Sequence, residues 1–152
     1  MPTTFKQAAA EMNYALDHDL DWVDTERLAG FVATCMGHVH SRDAVLHNLT
    51  SADTKRAARL ATAVQHVADT ATDNMVISQA TCCMAVYYLA LGERVRALRT
   101  VNKAADTHRD NSLAGYLSLM LRRTQLPADE ITRYLHNACD KMGLKKGTSP
   151  LP

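Results

Sequence analysis

The sequence lacks a large excess of charge of either sign and any long, unbroken hydrophobic run. Its 17 basic and 16 acidic side chains leave a formal net charge of +1, so overall electrostatics do not favour a nucleic-acid or membrane partner. The most apolar stretch, 75–91, includes Ser78, Gln79 and Thr81 and reaches only the short limit for a membrane span. Residues 1–10 do not show the charged-then-apolar order of a secretory signal. These features predict a cytoplasmic protein.

The short motifs that mark common catalytic centres are also missing. The sequence contains no G-x-S-x-G motif, no glycine-rich phosphate loop and no dinucleotide-binding fingerprint. No catalytic or cofactor-binding residue is therefore assigned, and no cofactor is expected. Catalysis stays open as an alternative, because an enzyme can lack all of these motifs.

Strict alternation of apolar and polar residues does not extend over any long segment, whereas the 3.6-residue period of an α-helix recurs throughout. The sequence therefore predicts an all-α fold, a compact bundle of about seven or eight helices around a central buried helix. That central helix is expected at 75–91, where nearly every side of the helix is apolar. A single domain is expected over 1–143, followed by a flexible tail over 144–152.

Capping residues mark the start of several predicted helices. Thr4 precedes Gln7 by three residues, as in a capping box that opens the first helix. Asp24 is the expected N-cap of the second helix, and Ser41 is the expected N-cap of a short third helix. The helices predicted after the fourth, which starts beyond Ser51, cover 75–91, 93–107, 112–123 and 127–142.

Small and aromatic residues in the segment 85–104 fall where two antiparallel helices would touch across one tight turn. Those at the spacing of a single tetratricopeptide-type hairpin are Ala85, Tyr88, Gly92, Ala97, Val101 and Ala104. Gly92 stands where the first helix must end, because glycine accepts a left-handed backbone without a Cβ clash. The pattern occurs once, so a repeat array is not expected.

A resemblance to a known protein family extends over roughly Leu20 to Arg123. The residues that carry it are Val39, Arg42, Asp43, Leu91-Gly92-Glu93, Ala97, Ala104, Leu113-Ala114 and Leu117. At these positions the chain resembles the C-terminal helical half of an actinobacterial family of unknown function. His40 and Ser41 interrupt the Val-Arg-Asp run of that family, and Arg109-Asp110 stands where the family has Asp-Pro. The resemblance implies a helical fold and no particular activity.

The chain contains two clusters of possible metal ligands. The first consists of Cys35, His38, His40 and His47. The expected helix end at Gly37 separates Cys35 from these histidines, and no second close pair of ligands is evident. We expect surface or capping histidines rather than a metal site.

The second cluster consists of Asp17, Asp19 and Asp21, which imitate the opening of a calcium-binding loop. However, Trp22 occupies the position of the turn glycine, and Leu28 occupies that of the bidentate glutamate. A solvated turn is expected instead, with Trp22 and Val23 folded back onto the bundle. No metal is therefore expected at either cluster.

The four cysteines are Cys35, Cys82, Cys83 and Cys139. We expect small core residues in a reducing compartment. Cys82 and Cys83 are adjacent, so on a helix they point about 100° apart and cannot share one activating base. Burial in the most apolar helix would also raise the pKa of each thiol.

A basic stripe is one of two functional candidates. Arg96, Arg99 and Lys103 are spaced to share one face of the predicted helix over 93–107. The residues expected on the opposite, apolar face are Val95, Leu98, Val101 and Ala105. The stripe could contact nucleic-acid phosphates or an acidic partner, with Arg94, Arg122 and Arg123 as possible extensions. A solvated polar face on an amphipathic helix is the favoured interpretation.

Tyr87 and Tyr88 are the second candidate, because neighbouring residues on one helix cannot both face the same core direction. One ring could reach a groove or interface, while core packing with a hydrogen-bonded hydroxyl is the favoured interpretation. Charge is also unevenly distributed: residues 1–50 hold three basic and seven acidic side chains, and residues 51–152 hold 14 and nine. This asymmetry favours head-to-tail self-association or one basic face.

Every strong pattern in the sequence is explained by helix packing, and none indicates a catalytic reaction. The predicted function is therefore a non-enzymatic protein-interaction or scaffolding module, with a protein or a second copy of the chain as partner. The alternative is a nucleic-acid-binding accessory protein that uses Arg96, Arg99 and Lys103. A small enzyme or metal protein is the third possibility, and no membrane partner is expected.

Overall fold

The protein is represented by a computed structural model that describes residues 4–123. Within that range the regular elements are all α-helices: α1 (Phe5–His18), α2 (Thr25–Cys35), α3 (Val39–Leu49), α4 (Thr54–Thr70), α5 (Asn74–Ala90), α6 (Arg94–Thr107) and α7 (Ser112–Arg123). The predicted all-α fold is confirmed. The helix expected over 127–142 and the tail over 144–152 lie outside the described residues.

α5 lies between the other helices and contacts α3, α4, α6 and α7. Its residues from Ser78 to Val86 are all buried, because apolar side chains stand on every side of the helix and the polar Ser78, Gln79 and Thr81 are each hydrogen-bonded. The sequence analysis expected a central helix at this position. Of the helices in the described range, none is both long and apolar enough to cross a membrane.

Capping residues start the first two helices where the sequence places them. The side chain of Thr4 accepts a hydrogen bond from the backbone N–H of Gln7 at 3.0 Å. The side chain of Asp24 accepts one from the N–H of Glu26 at 3.0 Å. Both bonds satisfy an N–H group that has no partner inside its own helix.

The prediction that Ser41 caps α3 is wrong, since α3 already begins at Val39 with His38 as its N-cap. The Nδ1 atom of His38 accepts from the N–H of His40 at 3.2 Å. The buried hydroxyl of Ser41 instead donates to the carbonyl oxygen of Cys35 at 2.8 Å. Ser41 therefore fixes the turn between α2 and α3 from inside the first turn of α3.

A buried polar cluster joins α1, α3 and α4 around Arg56. Its guanidinium donates to Asn48 Oδ1 at 2.8 Å and to Asn13 Oδ1 at 2.9 Å, and it forms an ion pair with Asp17. The expectation that Asp17 belongs to a solvated turn is therefore wrong. Its side chain is 3% exposed, because α1 continues to His18 and turns that carboxylate inward.

A second set of buried polar contacts holds α5 against its neighbours. Arg42 on α3 donates to Asp43 Oδ1 at 2.8 Å and to Gln79 Oε1 at 3.4 Å. On the other side of α5, the Ser78 hydroxyl donates to the Ala104 carbonyl oxygen at 2.6 Å. Asn111 donates to the same hydroxyl at 2.9 Å, so α6 and the start of α7 are both tied to α5.

The tight turn between α5 and α6 depends on Gly92, which has a φ of +82°. The N–H of Gly92 donates to the Leu89 carbonyl at 3.0 Å, and the N–H of Glu93 donates to the Tyr88 carbonyl at 2.9 Å. These bonds satisfy carbonyls at the end of α5. Buried Ala97 and Ala104 give α6 a surface of small side chains toward the core.

Trp22 projects into solvent from the turn between α1 and α2, with 87% of its surface exposed. The expectation that it folds back onto the bundle is wrong, because the neighbouring Val23 occupies the core position. The turn is ordered by bonds from the N–H groups of Trp22 and Val23 to the Asp19 carbonyl, at 2.8 and 2.7 Å. Arg59 on α4 donates to the Val23 carbonyl at 2.7 Å.

We expect Gly92→Ala to lower the free energy of unfolding by about 1 kcal/mol or more, because alanine must then adopt a positive φ. The added Cβ would meet no atom within 4 Å, so the backbone conformation alone is tested. Denaturant unfolding monitored by circular dichroism measures the change.

Gly30→Ala is the matched control, since Gly30 lies inside α2 and its Cβ would also meet nothing within 4 Å. Alanine at this helical position should raise the free energy of unfolding by about 0.5–1 kcal/mol. If both substitutions stabilised the protein, Gly92 would not be the left-handed helix end described above.

Candidate functional site

A groove runs over α5 between α4 and α6, and we call it the α5 groove. Its deeper part has a volume of about 260 Å³, and its wider part opens toward the start of α2 at Thr25. The side chains that define it are Thr62, Gln65, His66 and Asp69 on α4, Met84, Tyr87 and Tyr88 on α5, and Arg96, Thr100 and Lys103 on α6. The groove therefore contains Tyr87, Tyr88, Arg96 and Lys103 from both sets of sequence candidates.

Arg96 lies over the ring of Tyr88 at the centre of the groove. Its Cζ atom is 3.9 Å from the ring centroid, its Nη2 donates to the Tyr88 hydroxyl at 3.3 Å, and its Nη1 is 3.6 Å from Glu93 Oε1. A cation–π contact at an exposed site contributes about 0.5–1 kcal/mol. These contacts hold a solvent-exposed guanidinium in one orientation.

Both tyrosines line the groove, although they are adjacent in sequence. Their ring centroids are 6.0 Å apart, and their planes are inclined by 49°. Each is half-buried, because the C-terminal end of α5 emerges from between α4 and α6. The sequence analysis weighed core packing against one ring at a groove or interface, and the structure places both rings at the groove.

The α4 wall of the groove is polar. Gln65 donates through Nε2 to Asp69 Oδ1 at 2.9 Å, and His66 lies beside them on the same helix. Sequence reasoning did not connect these residues with Arg96, because about thirty positions separate the two walls. One signal for this wall was present in the sequence. Polar residues stand next to Ala61, a small buried residue that lets α4 pack close to α5.

The three members of the basic stripe are not equivalent. All three are exposed. Arg96 and Lys103 line the groove, whereas Arg99 is not one of the groove residues. Val95 is also exposed, at 67%. The expectation that Val95 belongs to the buried face of α6 is wrong, because its position at the start of the helix lies beyond the contact with α5.

Two of the three arginines expected as extensions of the stripe have partners within the bundle, and the side chain of the third, Arg123, lies outside the described part of the chain. Arg94 donates to the Leu121 carbonyl at the end of α7, at 2.7 Å. Arg122 donates to Asn102 Oδ1 on α6, at 3.1 Å. Both guanidiniums thus join α6 to α7.

The cysteines of the described range are free thiols in the core. Burial raises the pKa of Cys35 to about 12 and that of Cys82 to about 12. Burial, with a further contribution from Cys82, raises the pKa of Cys83 well above its ordinary value. A thiol in this state is a poor nucleophile, because only the thiolate reacts.

Two histidines of the first candidate metal cluster, His38 and His40, lie next to each other, with ring centroids 5.4 Å apart. The ring of His38 stacks on Phe5 at a centroid distance of 5.6 Å, and its Nδ1 caps α3. Cys35 faces the core on the other side of that turn. Within residues 4–123, no three His, Cys, Asp or Glu side chains are arranged to hold one metal ion.

Comparison of the chain with protein-family models, curated proteins and solved structures gave no match. The resemblance to the actinobacterial helical family therefore stays a prediction. The function of the α5 groove must be inferred from its own chemistry.

We expect Cys35, Cys82 and Cys83 to resist modification at pH 8 while the protein is folded. A thiol with a pKa of about 12 is ionised in only about one molecule in ten thousand at that pH. Titration with a chromogenic disulfide reagent in a Cys139→Ser background measures these thiols alone. They should react after addition of denaturant, and rapid reaction of the native protein would contradict their burial.

Proposed function

We propose that the chain is a non-enzymatic protein-interaction module and that the α5 groove binds a segment of its partner. The observation that carries this proposal is the placement of Arg96 over Tyr88 at the centre of the groove. Tyrosine and arginine are enriched among the residues that contribute most to protein–protein binding. Here one of each is already held in contact.

The orientation of Arg96 favours binding because little side-chain freedom remains to be lost. Immobilising a flexible side chain at an interface costs about 0.5–1.5 kcal/mol. The ring of Tyr88 and the carboxylate of Glu93 already restrict Arg96. Lys103 on the same wall and Asp69 opposite provide further polar contacts around an apolar floor that includes Met84.

Three of the threonine hydroxyls that line the groove support a binding role over a catalytic one. Thr100 donates to the Arg96 carbonyl at 2.8 Å, Thr62 donates to the Ala58 carbonyl at 3.2 Å, and Thr81 donates to the Ile77 carbonyl at 2.7 Å. Each of these hydroxyls is therefore bonded to its own helix rather than to a general base, which a nucleophile would require.

The proposed compartment is the cytoplasm, where free thiols stay reduced.

Selection from a random peptide display library tests the proposed groove. Peptides enriched on the wild-type protein should bind a Tyr88→Ala, Arg96→Ala double variant at least ~10-fold more weakly, because the paired aromatic and cationic contacts are lost. Fluorescence anisotropy with synthetic peptides measures the dissociation constants. Circular dichroism establishes that the double variant is folded.

Arg99→Ala is the matched control, since it removes a cation of the same stripe from outside the groove. Selected peptides should bind this variant as they bind the wild type. Equal binding to the double variant, or a library that yields no binding peptide, would contradict the proposal.

The alternative function is nucleic-acid binding through the exposed cations of α6. The observation that favours it is that Arg99 and Lys103 are exposed and form no ion pair with any described residue. We nevertheless favour the protein-interaction module, because Arg96 stacks on Tyr88 and because Arg94 and Arg122 are engaged with other parts of the bundle.

A triple substitution, Arg96→Ala with Arg99→Ala and Lys103→Ala, separates the two functions. For an interaction module we expect duplex-DNA affinity to stay weak and nearly unchanged, since exposed helix charges contribute little. Phosphate contacts would instead make wild-type binding strongly salt-dependent, and the variant would reduce the salt slope by about three. Anisotropy titrations at several salt concentrations measure this slope. Sub-micromolar wild-type binding that disappears in the variant would favour the alternative.

A further inference from the structure

Trp22 is the most exposed large apolar side chain of the described residues, yet the turn that carries it is ordered. Three hydrogen bonds hold the backbone of the turn: two to the Asp19 carbonyl and one from Arg59 to the Val23 carbonyl. Two acidic side chains of the turn form ion pairs, Asp19 with Arg27 and Asp21 with Lys55. We call residues 19–24 the Trp22 turn.

An exposed tryptophan on an ordered turn is suited to binding. Its indole contributes a large contact area with few rotatable bonds, and tryptophan is enriched among interface residues with the largest energetic effect. Because the backbone is already bonded on both sides of Trp22, little conformational entropy would be lost when the ring becomes buried.

The α5 groove has features complementary to this turn. Its two tyrosines and Met84 offer aromatic and thioether surfaces to an indole. Charge is also complementary, since Asp24 at the end of the turn and Glu26 just after it form no ion pair within the described residues, and neither does Lys103 on the α6 wall of the groove. Five of the seven acids in residues 1–50 lie between 17 and 26.

We propose that the α5 groove of one copy of this chain binds the Trp22 turn of a second copy. This inference rests on the proposed function, because it names the occupant of the same groove. The indole would lie against Tyr87, Tyr88 and Met84. The carboxylates of Asp24 and Glu26 would face Arg96 and Lys103 on the α6 wall.

The turn and the groove adjoin each other on the surface, which favours a closed dimer. Thr25, three residues after Trp22, lines the wide end of the groove, and Lys55 and Arg59 join the turn to α4. A two-fold axis between two copies would then form the same contact twice.

Sedimentation velocity of the full chain over a range of concentrations tests this contact. The wild type should form dimers, and Trp22→Ala should weaken self-association by at least ~30-fold, as for an aromatic hot spot. Val95→Ala is the matched control, because it removes an exposed apolar side chain from outside the groove. Its association should equal that of the wild type.

A mixing experiment identifies the two surfaces. Trp22→Ala lacks the indole but keeps its groove, whereas Arg96→Glu with Lys103→Glu alters the groove but keeps the turn. Each variant alone should be monomeric. A mixture of the two should form heterodimers that retain one of the two contacts and are weaker than the wild-type dimer.

The outcomes separate this inference from the function on which it rests. A wild-type chain that stays monomeric while displayed peptides bind its groove would overturn the inference alone. A monomeric chain that also selects no peptide would overturn both. Dimers that persist in Trp22→Ala, or variants that fail to associate when mixed, would overturn the assigned contact.

Discussion

The burial of α5 is the constraint from which the rest of the architecture follows. No face of this helix from Ser78 to Val86 is exposed to water, so other helices must cover it on every side. α3, α4, α6 and α7 do so. The cover ends at Tyr87, where the helix emerges between α4 and α6. The candidate site is thus the place where two covering helices diverge, and the tyrosines there have a polar tip suited to partial exposure.

Buried charges set the relative positions of α1, α3 and α4. Arg56 can satisfy its donors only when Asn13, Asp17 and Asn48 all converge on it. A helix shifted along its axis would leave a guanidinium or carboxylate buried without its partner, which costs several kcal/mol. Apolar contacts tolerate such shifts more readily. The polar clusters therefore specify one arrangement, while the hydrophobic core supplies most of the favourable free energy.

Local signals in the sequence correctly predicted the helix caps and the turn whose hydrogen-bond partners are close in the chain. The capping roles of Thr4 and Asp24, and the turn at Gly92, involve partners within five positions and were found correctly. Ser41, Asp17 and Trp22 were misplaced because their environments depend on a preceding turn, a distant arginine and a competing valine. The α5 groove was found only in part. Its aromatic and cationic residues carried a signal, but the α4 wall joins them only through folding.

The exposure of Trp22 changes what the intrinsic fluorescence of this protein reports. The chain has one tryptophan, and folding leaves its indole in water. Unfolding therefore moves the chromophore from one aqueous environment to another, and the emission maximum is a poor measure of the native fraction. A shift toward shorter wavelength instead marks the arrival of another surface at the turn. In this protein the fluorescence of Trp22 therefore reports contact of another surface with the turn rather than the stability of the fold.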